Sequence, residues 1–420
     1  MINVSEVYKH LRVHAQDNKL VIAYSGGLDS HVLLHLLSQI PQAKNVVRAI
    51  HVNHGLQTSS LSWAQHCEGT CVALGIPFEV ISLNLEIPQG QSIEEVARTE
   101  RYKALHQSLK EDESLLTAHH QNDQVETFLL NLFRGAGVDG LASMPISRLF
   151  GPKNSERQLL RPLLSYNRES LEKYAKQHLL NIVEDPSNLD QAFDRNYLRQ
   201  RILPELRVRW PGIDKSISRS ASIQSETKEI LNEVAENAFK QVYDYRKNTL
   251  SITKLKQLSK AKQKLVLRFW IAYSGFSYPS EKKLQHLFSD VIEANQGTQP
   301  LLEWQGTQLR RFQDDLYISE PLLDHDSNAI FDWDVSSALT IDSLNLVIHP
   351  EVLSEEQREQ ASKVTVKFRQ GGEKIRIANR GNLSLKNIFQ EEGLPPWMRV
   401  RMPLVYIDDE LVKVIGLNLK

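Results

Sequence analysis

The sequence predicts an α/β protein with an N-terminal doubly wound parallel sheet, a mostly helical middle domain and a small α+β C-terminal domain. Over the first 135 residues, short and nearly continuous apolar runs alternate with amphipathic helical patterns, as expected for strands buried on both faces. The pattern becomes helical after about residue 213 and mostly β after about residue 326. We therefore expect domains at residues 1–212, 213–325 and 326–420.

Four predicted strands and four predicted helices alternate in the first domain. The strands are expected at residues 20–24, 46–52, 78–83 and 114–118. The helices are expected at residues 30–38, 61–74, 92–110 and 124–134. Gly75 ends the second helix, and a capping box beginning at Ser92 opens the third. Strands separated by helices favour a parallel sheet that is covered on both faces.

Later elements are less regular. Residues 151–210 are mixed and rich in arginine. A helix is expected over 214–246, a hairpin around 304–318, and strands within 338–348 and 364–368.

Composition limits the functional classes. The chain has 420 residues, 41% of them hydrophobic, and a formal net charge of −1, so nucleic acid would have to bind through local basic patches. No apolar run approaches the roughly 20 residues that span a bilayer, and the polar N-terminus lacks a signal-peptide core. We expect a cytoplasmic protein without a membrane partner. Cys67 and Cys71 match no zinc or disulfide pattern and suit packing on one helix face.

A glycine-rich turn follows the first predicted strand and precedes the first helix. It consists of Ser25, Gly26, Gly27, Leu28, Asp29 and Ser30. Glycines let backbone N–H groups approach phosphate oxygens, and a helix N-terminus favours bound anions. Asp29 would meet phosphate through a cation, which indicates a Mg²⁺ ligand. The turn lacks the lysine of the P-loop. The alternative is a turn without a ligand, which this strand–helix context disfavours.

Polar residues also follow the second and fourth predicted strands. His51, Asn53 and His54 end the second strand, where backbone groups could contact adenine; packed or solvated side chains are the alternative. Asp123 and Glu126 begin the fourth helix on one face. They are either capping charges or ligands of Mg²⁺ and substrate. On the third helix, Arg98 and Arg101 form a solvated stripe or face phosphate.

These segments resemble the tRNA(Ile)-lysidine synthetase family of PP-loop, N-type ATP pyrophosphatases. The resemblance covers residues 20–210 and 364–417. Its main motifs are SGGLDS, HVNHGL, ARTERY, AHHQNDQVETFLLNLFRGAGVDGLASMP, RPLL and EDPSNLDQAFDRNYLRQRILP. Many members have two adjacent aspartates where this chain has Asn122-Asp123, which leaves metal ligation by the pair open.

The resemblance implies a reaction. ATP adenylates the C2 oxygen of the wobble cytidine in the tRNA(Ile) with anticodon CAU, and pyrophosphate leaves. The amine of free L-lysine then attacks C2 and releases AMP, which changes codon specificity from AUG to AUA and tRNA identity from methionine to isoleucine. Cations at the transferred phosphorus would stabilise its developing charge.

The same resemblance implies roles for individual residues. Asp29 and Asp123 would hold Mg²⁺, and Arg195 would supply a second cation. Glu126 would hold or deprotonate the lysine amine.

Two basic patches are candidate tRNA contacts, or else solvated faces. The first comprises Arg195, Arg199, Arg201, Arg207 and Arg209. The second comprises Lys367, Arg369, Lys374, Arg376, Arg380 and Lys386. The sequence leaves the oligomeric state open, with a homodimer among the alternatives.

Two rival interpretations remain. A sulfur-transferring PP-loop enzyme acting on tRNA would use reactive thiols, for which Cys67 and Cys71 are the only candidates in the chain. A non-catalytic tRNA-binding or nucleotide-sensing protein would keep the basic patches, whereas the retained Asp29, Asp123 and Glu126 favour an enzyme.

Overall fold

The computed structural model describes residues 2–43, 46–55, 60–87, 93–151, 155–186, 190–295, 297–377 and 380–417. Contacts divide the chain into two compact units, Met1–Val234 and Ala235–Lys420. The three predicted domains, with boundaries after residues 212 and 325, stay a prediction. No helix in the described ranges is long and apolar enough to cross a bilayer.

The first unit contains an α/β arrangement. Its strands are β1 (Lys19–Ala23), β2 (Val47–Asn53), β3 (Phe78–Ser82), β4 (Glu113–Leu116), β5 (Ser147–Leu149) and β6 (Gln158–Leu160). Its helices are α1 (Val4–Ala15), α2 (Leu28–Ser38), α3 (Ser60–Leu74), α4 (Ile93–Ser108), α5 (Gln121–Phe133), α6 (Val138–Leu141), α7 (Arg168–Gln177), α8 (Asp194–Tyr197), α9 (Leu203–Arg209) and α10 (Ile213–Val242), which runs into the second unit. Between α8 and α9, Leu198–Ile202 form a π-helical segment.

Within the described residues, six strands form one sheet in the order β3-β2-β1-β4-β6-β5. All neighbouring pairs are parallel except β5 with β6, which are antiparallel. The four predicted strands are confirmed as β1 to β4, and the predicted helices as α2 to α5. The predicted helix start at Ser92 lies outside the described residues. The sequence patterns did not indicate β5, β6 or α1.

Helices cover both faces of this sheet, as predicted. Leu20 and Ile22 of β1 pack into one core, with α1, α2, α3 and α7. Val21, between them, packs on the other face, with Leu105 of α4. The chain leaves β1 toward β2 and returns to β4, so the strand order reverses between β1 and β4. In open α/β sheets, ligands bind at the carboxyl ends of the strands beside such a reversal.

The second unit is built of small antiparallel sheets and short helices. Its strands are β7 (Tyr243–Asp244), β8 (Thr249–Ser251), β9 (Leu301–Trp304), β10 (Thr307–Phe312), β11 (Asp315–Ser319), β12 (Phe331–Asp332), β13 (Leu339–Ile341), β14 (Leu346–Ile348), β15 (Val364–Lys367), β16 (Lys374–Ile377), β17 (Gly381–Ser384), β18 (Leu404–Ile407) and β19 (Glu410–Val414). Its helices are α11 (Ile252–Lys256), α12 (Lys260–Tyr273), α13 (Glu281–His286), α14 (Glu355–Gln360), α15 (Leu385–Glu391) and α16 (Pro396–Arg399).

The middle of the chain combines helices with a five-stranded sheet, in the order β7-β8-β11-β10-β9. The fully buried Trp270 of α12 lies in its core. The predicted hairpin is β10–β11. A four-stranded sheet, β12-β15-β18-β19, follows nearer the C-terminus. The predicted fold class is confirmed: a parallel α/β sheet, a helical middle region and a C-terminal part with antiparallel strands and helices.

Candidate active site

The glycine-rich turn leaves β1 as a tight loop and enters α2. Gly26 has φ of +81°, and a Cβ there would lie 2.9 Å from Sγ of Cys67 on α3. Both facts require glycine, because an L side chain is strained at this φ and has no room. The Ser25 and Ser30 hydroxyl oxygens lie 3.0 Å apart, and the Ser30 hydroxyl donates to the Gly27 carbonyl at 3.1 Å. Hydrogen bonds within the loop therefore hold its conformation.

The loop is followed directly by the N-terminus of α2, whose N-cap is Gly27. The N–H groups of Leu28, Asp29 and Ser30 lie in the first turn, where no carbonyl of the same helix is available to them. Such N–H groups, with the partial positive charge of the helix end, suit phosphate oxygens. The six residues predicted to bind the phosphates therefore form one turn and the start of α2. Phosphate binding by them stays a prediction.

A histidine joins two predicted metal ligands. Nε2 of His120 lies 3.6 Å from Oδ1 of Asp29 and 3.5 Å from Oδ2 of Asp123. Burial lowers the pKa of His120, but the carboxylates of Asp29 and Asp123 outweigh it, and the net pKa is raised. Burial raises the pKa of Asp123, but nearby His120 and other cationic groups bring it below the ordinary value. Asp29 Oδ1 is buried and lacks a hydrogen-bond partner among the described residues.

Helix α5 begins three residues earlier than predicted because His120 caps it. The His120 Nδ1 atom accepts from the Asn122 N–H, and the Asp123 carboxylate accepts from the His120 N–H. Asp123 is thus both a cap and a member of an acidic cluster, which comprises Asp29, Asp123 and Glu126. The Asn122 side chain accepts from the N–H of Arg168 on α7 at 3.0 Å.

Glu126 is fully buried and ion-paired. Arg199 donates to its two carboxylate oxygens from Nε at 2.7 Å and from Nη2 at 2.9 Å. Arg199 Nη2 also lies 3.3 Å from Asp123 Oδ1. Arg195 Nε lies 3.6 Å from Glu126, and its Nη2 donates to Thr127. Two arginines therefore lie beside the acidic cluster.

The residues at the end of β2 make mostly local contacts. The buried His51 ring lies 3.0 Å from the Tyr24 carbonyl through Nδ1, and the Asn53 side chain accepts from the Gly55 N–H at 2.9 Å. Burial, with a smaller contribution from Arg101, lowers the pKa of His54 to about 4. These side chains shape the strand end, and adenine binding by this segment stays a prediction.

The basic patches are partly neutralised. Arg207 pairs with Asp214, and Arg380 pairs with Glu391. Lys367 lies 3.2 Å from Asp409. On α4, Arg98 and Arg101 both lie over the ring of Tyr102, at 5.1 and 5.7 Å from its centroid.

Comparison with known proteins assigns the family. Family models described as PP-loop domain, TilS substrate binding domain and TilS substrate C-terminal domain match residues 2–206, 250–317 and 364–420. The tRNA(Ile)-lysidine synthase of Coxiella burnetii is 40% identical over 98% of this chain and 91% of its own length. The chain belongs to the tRNA(Ile)-lysidine synthase family. Members from Pectobacterium atrosepticum and Haemophilus influenzae are 37% and 36% identical, over 94% and 98% of this chain and 90% and 97% of their own lengths.

Sequence reasoning did not single out two central residues of this family member. His120 stood in a quoted motif, but its position between two carboxylates depends on the cap geometry of α5. Arg199 was one of five arginines in a patch. Its spacing of four from Arg195 would place both on one helix face, and this signal was available.

Proposed function

We propose that this chain is a tRNA-modifying ligase that uses ATP to attach free L-lysine to the wobble cytidine of the tRNA(Ile) with anticodon CAU. Adenylation of the cytosine C2 oxygen would release pyrophosphate, and attack by the lysine amine would release AMP. Family membership over nearly the full chain supports tRNA modification driven by ATP. A homodimer and a cytoplasmic location stay predictions.

One observation carries the chemistry: Asp29 and Asp123 meet at His120 beside the strand-order reversal. The glycine loop and the first turn of α2 would bind the β- and γ-phosphates. Arg195 and Arg199 lie beside Glu126 and Asp123, where positive charge would stabilise the phosphorus undergoing attack. Positioned charges of this kind supply most of the catalysis in phosphoryl and nucleotidyl transfer.

Mg²⁺ fits the carboxylates at this site. No group of three or more His, Cys, Asp or Glu side chains forms a metal site within the described ranges. Mg²⁺ usually takes only one or two protein carboxylates and completes its shell with phosphates and water. Asp29, with a buried oxygen that lacks a hydrogen bond, and Asp123 would hold the ion. When bound, it would neutralise phosphate charge.

The ion pair of Glu126 argues against a role as a free general base. Both of its oxygens accept hydrogen bonds from Arg199. For Glu126 to contact the lysine amine, Arg199 would have to give up part of this pair. While the pair is intact, the Glu126 carboxylate would hold the Arg199 guanidinium in position beside the bound nucleotide.

The burial of both cysteine thiols argues against the sulfur-transfer alternative. Cys67 and Cys71 are fully buried, and burial raises the pKa of each to about 12. A nucleophilic cysteine needs an accessible thiolate and a lowered pKa.

The decisive experiment incubates the protein with ATP, labelled lysine and total tRNA. We expect label in tRNA together with AMP and pyrophosphate. Asp29→Asn should abolish AMP formation, whereas Asp17→Asn, at an exposed site on the same unit, should leave it unchanged. Release of ADP and orthophosphate, or incorporation of sulfur instead of lysine, would refute the proposal.

A further inference from the structure

A buried arginine at the carboxyl edge of the sheet lacks an acidic partner. Arg161 directly follows β6, which pairs in parallel with β4, and it is only 4% exposed. Its Nη1 donates to the Pro145 carbonyl at 2.7 Å. Its Nε is buried and has no hydrogen-bond partner among the described residues. In those ranges no carboxylate lies within ion-pair distance of this guanidinium.

Such an arrangement is costly without a ligand. A buried charge is normally paired or fully hydrogen-bonded, because desolvation costs several kcal/mol. Burial, together with Arg148 and Arg98, lowers the pKa of Arg161 to about 10, although Tyr102 opposes the shift. The surroundings of Arg161 therefore favour a bound anion.

Arg161 lies beside the end of β4, because the Thr117 N–H donates to the carbonyl of Leu160, the preceding residue, at 3.0 Å. Burial lowers the pKa of His119 to about 3, and Arg161, Arg98 and Arg195 add to the effect, whereas Asp123 opposes it. The ring therefore feels both the acidic cluster and the arginines, and it is neutral near pH 7. Its Nδ1 lies 2.9 Å from Oγ1 of Thr117, the residue that follows β4.

We propose that Arg161 binds the carboxylate of the amino-acid substrate through its Nε edge. This inference rests on the proposed function and adds to it the group that recognises the amino acid as an acid. A carboxylate matches the edge of a guanidinium with two parallel hydrogen bonds. Because the described residues leave Nε unpaired, ligand binding breaks no existing hydrogen bond of that atom.

Burial favours a small carboxylate over an RNA phosphate. Phosphate contacts that position a nucleic acid are made by side chains at the surface, whereas Arg161 is 4% exposed. Arg161 follows β6, and α5, which carries Asp123, follows the neighbouring parallel strand β4, so charges of both signs lie at the same carboxyl edge of the sheet. That pattern complements an amino acid, which carries ammonium and carboxylate groups together.

The test compares lysine with lysinamide, which lacks the carboxylate charge, as nucleophiles for the full-length enzyme and tRNA. Arg161→Gln should raise the KM for lysine about 10- to 100-fold, the usual range for losing a hydrogen bond to a charged group. The KM for lysinamide should stay within about twofold, as should tRNA-dependent ATP–pyrophosphate exchange. Arg148→Gln removes a nearby exposed charge and serves as the matched control. Arg161→Lys, which keeps the charge without the planar edge, should show an intermediate KM for lysine.

Several outcomes would overturn the inference. Equal losses for lysine and lysinamide would show that Arg161 does not read the carboxylate. A raised KM for tRNA with an unchanged KM for lysine would assign Arg161 to an RNA phosphate. Loss of exchange in both Arg161 variants would show a structural role. If the wild-type enzyme attaches neither lysine nor lysinamide to tRNA, the proposed function itself fails. If it attaches both with equal KM, only the carboxylate subsite is refuted.

Discussion

At the scale of single residues, Gly26 has the most sharply defined constraint. Replacing Gly26 by Ala adds a Cβ at positive φ and 2.9 Å from the Cys67 sulfur. We expect a loss of about 2 kcal/mol in the free energy of unfolding. The KM for ATP should also rise, because the displaced loop no longer presents its N–H groups correctly. Urea unfolding and pyrophosphate release measure the two effects.

Gly69 provides the matched control for that substitution. It lies within α3, and a Cβ there would meet nothing within 4 Å. Gly69→Ala should therefore stabilise the protein by up to about 1 kcal/mol, through helix propensity alone. A Gly26→Ala protein as stable and as active as Gly69→Ala would contradict the steric argument.

His31 should make stability depend on pH. It is buried on α2, its Nδ1 lies 3.2 Å from the Tyr24 hydroxyl, and burial lowers its pKa from 6.5 to about 4. The folded state therefore keeps His31 neutral while the unfolded state takes up a proton below about pH 6.5. Its contribution is complete above that pH and falls by up to roughly 3 kcal/mol as the pH drops to about 4.

The variant His31→Gln isolates this effect from other acid-sensitive groups. Its unfolding free energy, measured from pH 7.5 to 4, should fall less steeply than that of the wild type. Parallel curves for the two proteins would contradict the assignment to His31.

Single residues were predictable from the sequence where a local rule fixed them. The glycine turn followed from two adjacent glycines between an apolar strand and a helix. The central position of His120 did not, because it depends on Asp29 from another strand–helix junction. Likewise, nothing in the sequence indicated that the Cys67 side chain would pack against Gly26.

At the scale of elements, Arg199 joins the π-helical segment Leu198–Ile202 to α5 through ion pairs with Glu126 and Asp123. Arg199→Met removes both hydrogen bonds to Glu126, which is fully buried. The remaining cation, Arg195, lies 3.6 Å away. We expect a loss of about 3 kcal/mol in the free energy of unfolding, since a buried carboxylate loses its main partner.

The control for this prediction lies two residues away. Arg201 is exposed, and its Nε donates to the side chain of Gln191 at 3.3 Å, without an ion pair among the described residues. Arg201→Met should therefore change stability by less than about 0.5 kcal/mol. Adding Glu126→Gln to Arg199→Met should recover part of the loss, because the uncompensated charge is gone. Equal effects of the two arginine substitutions in chemical denaturation would refute the buried-pair argument.

Elements were predictable where their periodicity was long enough. The first four strands of the sheet and helices α2 to α5 have clear apolar patterns. Strands β5 and β6 have three residues each, which is too short for alternation to show. Helix α1 buries Val7, Leu11 and Ala15 along a single narrow stripe, and most of its other side chains are polar, so the sequence pattern did not indicate it.

At the scale of the whole molecule, Trp397 links two parts of the second unit. The Trp397 ring on α16 lies edge-on to Phe312 and Tyr317 of the β10–β11 hairpin, with centroids 6.1 and 5.6 Å apart. The Arg310 guanidinium lies 5.2 Å from its centroid. The C-terminal segment is therefore docked on the sheet of the middle region.

Trp397→Ala should loosen this docking. We expect tRNA binding to weaken about tenfold, as for the loss of one aromatic anchor, while ATP binding is unchanged. Met398→Ala, at the exposed neighbouring position, is the control. Filter binding of tRNA and equilibrium binding of ATP measure the two affinities. Equal weakening of both ligands, or no change with either, would contradict the prediction.

The Cys67 sulfur lies against the glycine-rich turn, so its rate of alkylation can report how often that turn opens. Cys67 and Cys71 are the only thiols in the chain, both fully buried, with pKa values of about 12. We therefore expect an alkylating reagent to react only when α3 separates from the turn. The rate of modification would then measure how often α3 and the turn separate. A nucleotide that holds the turn closed should lower this rate.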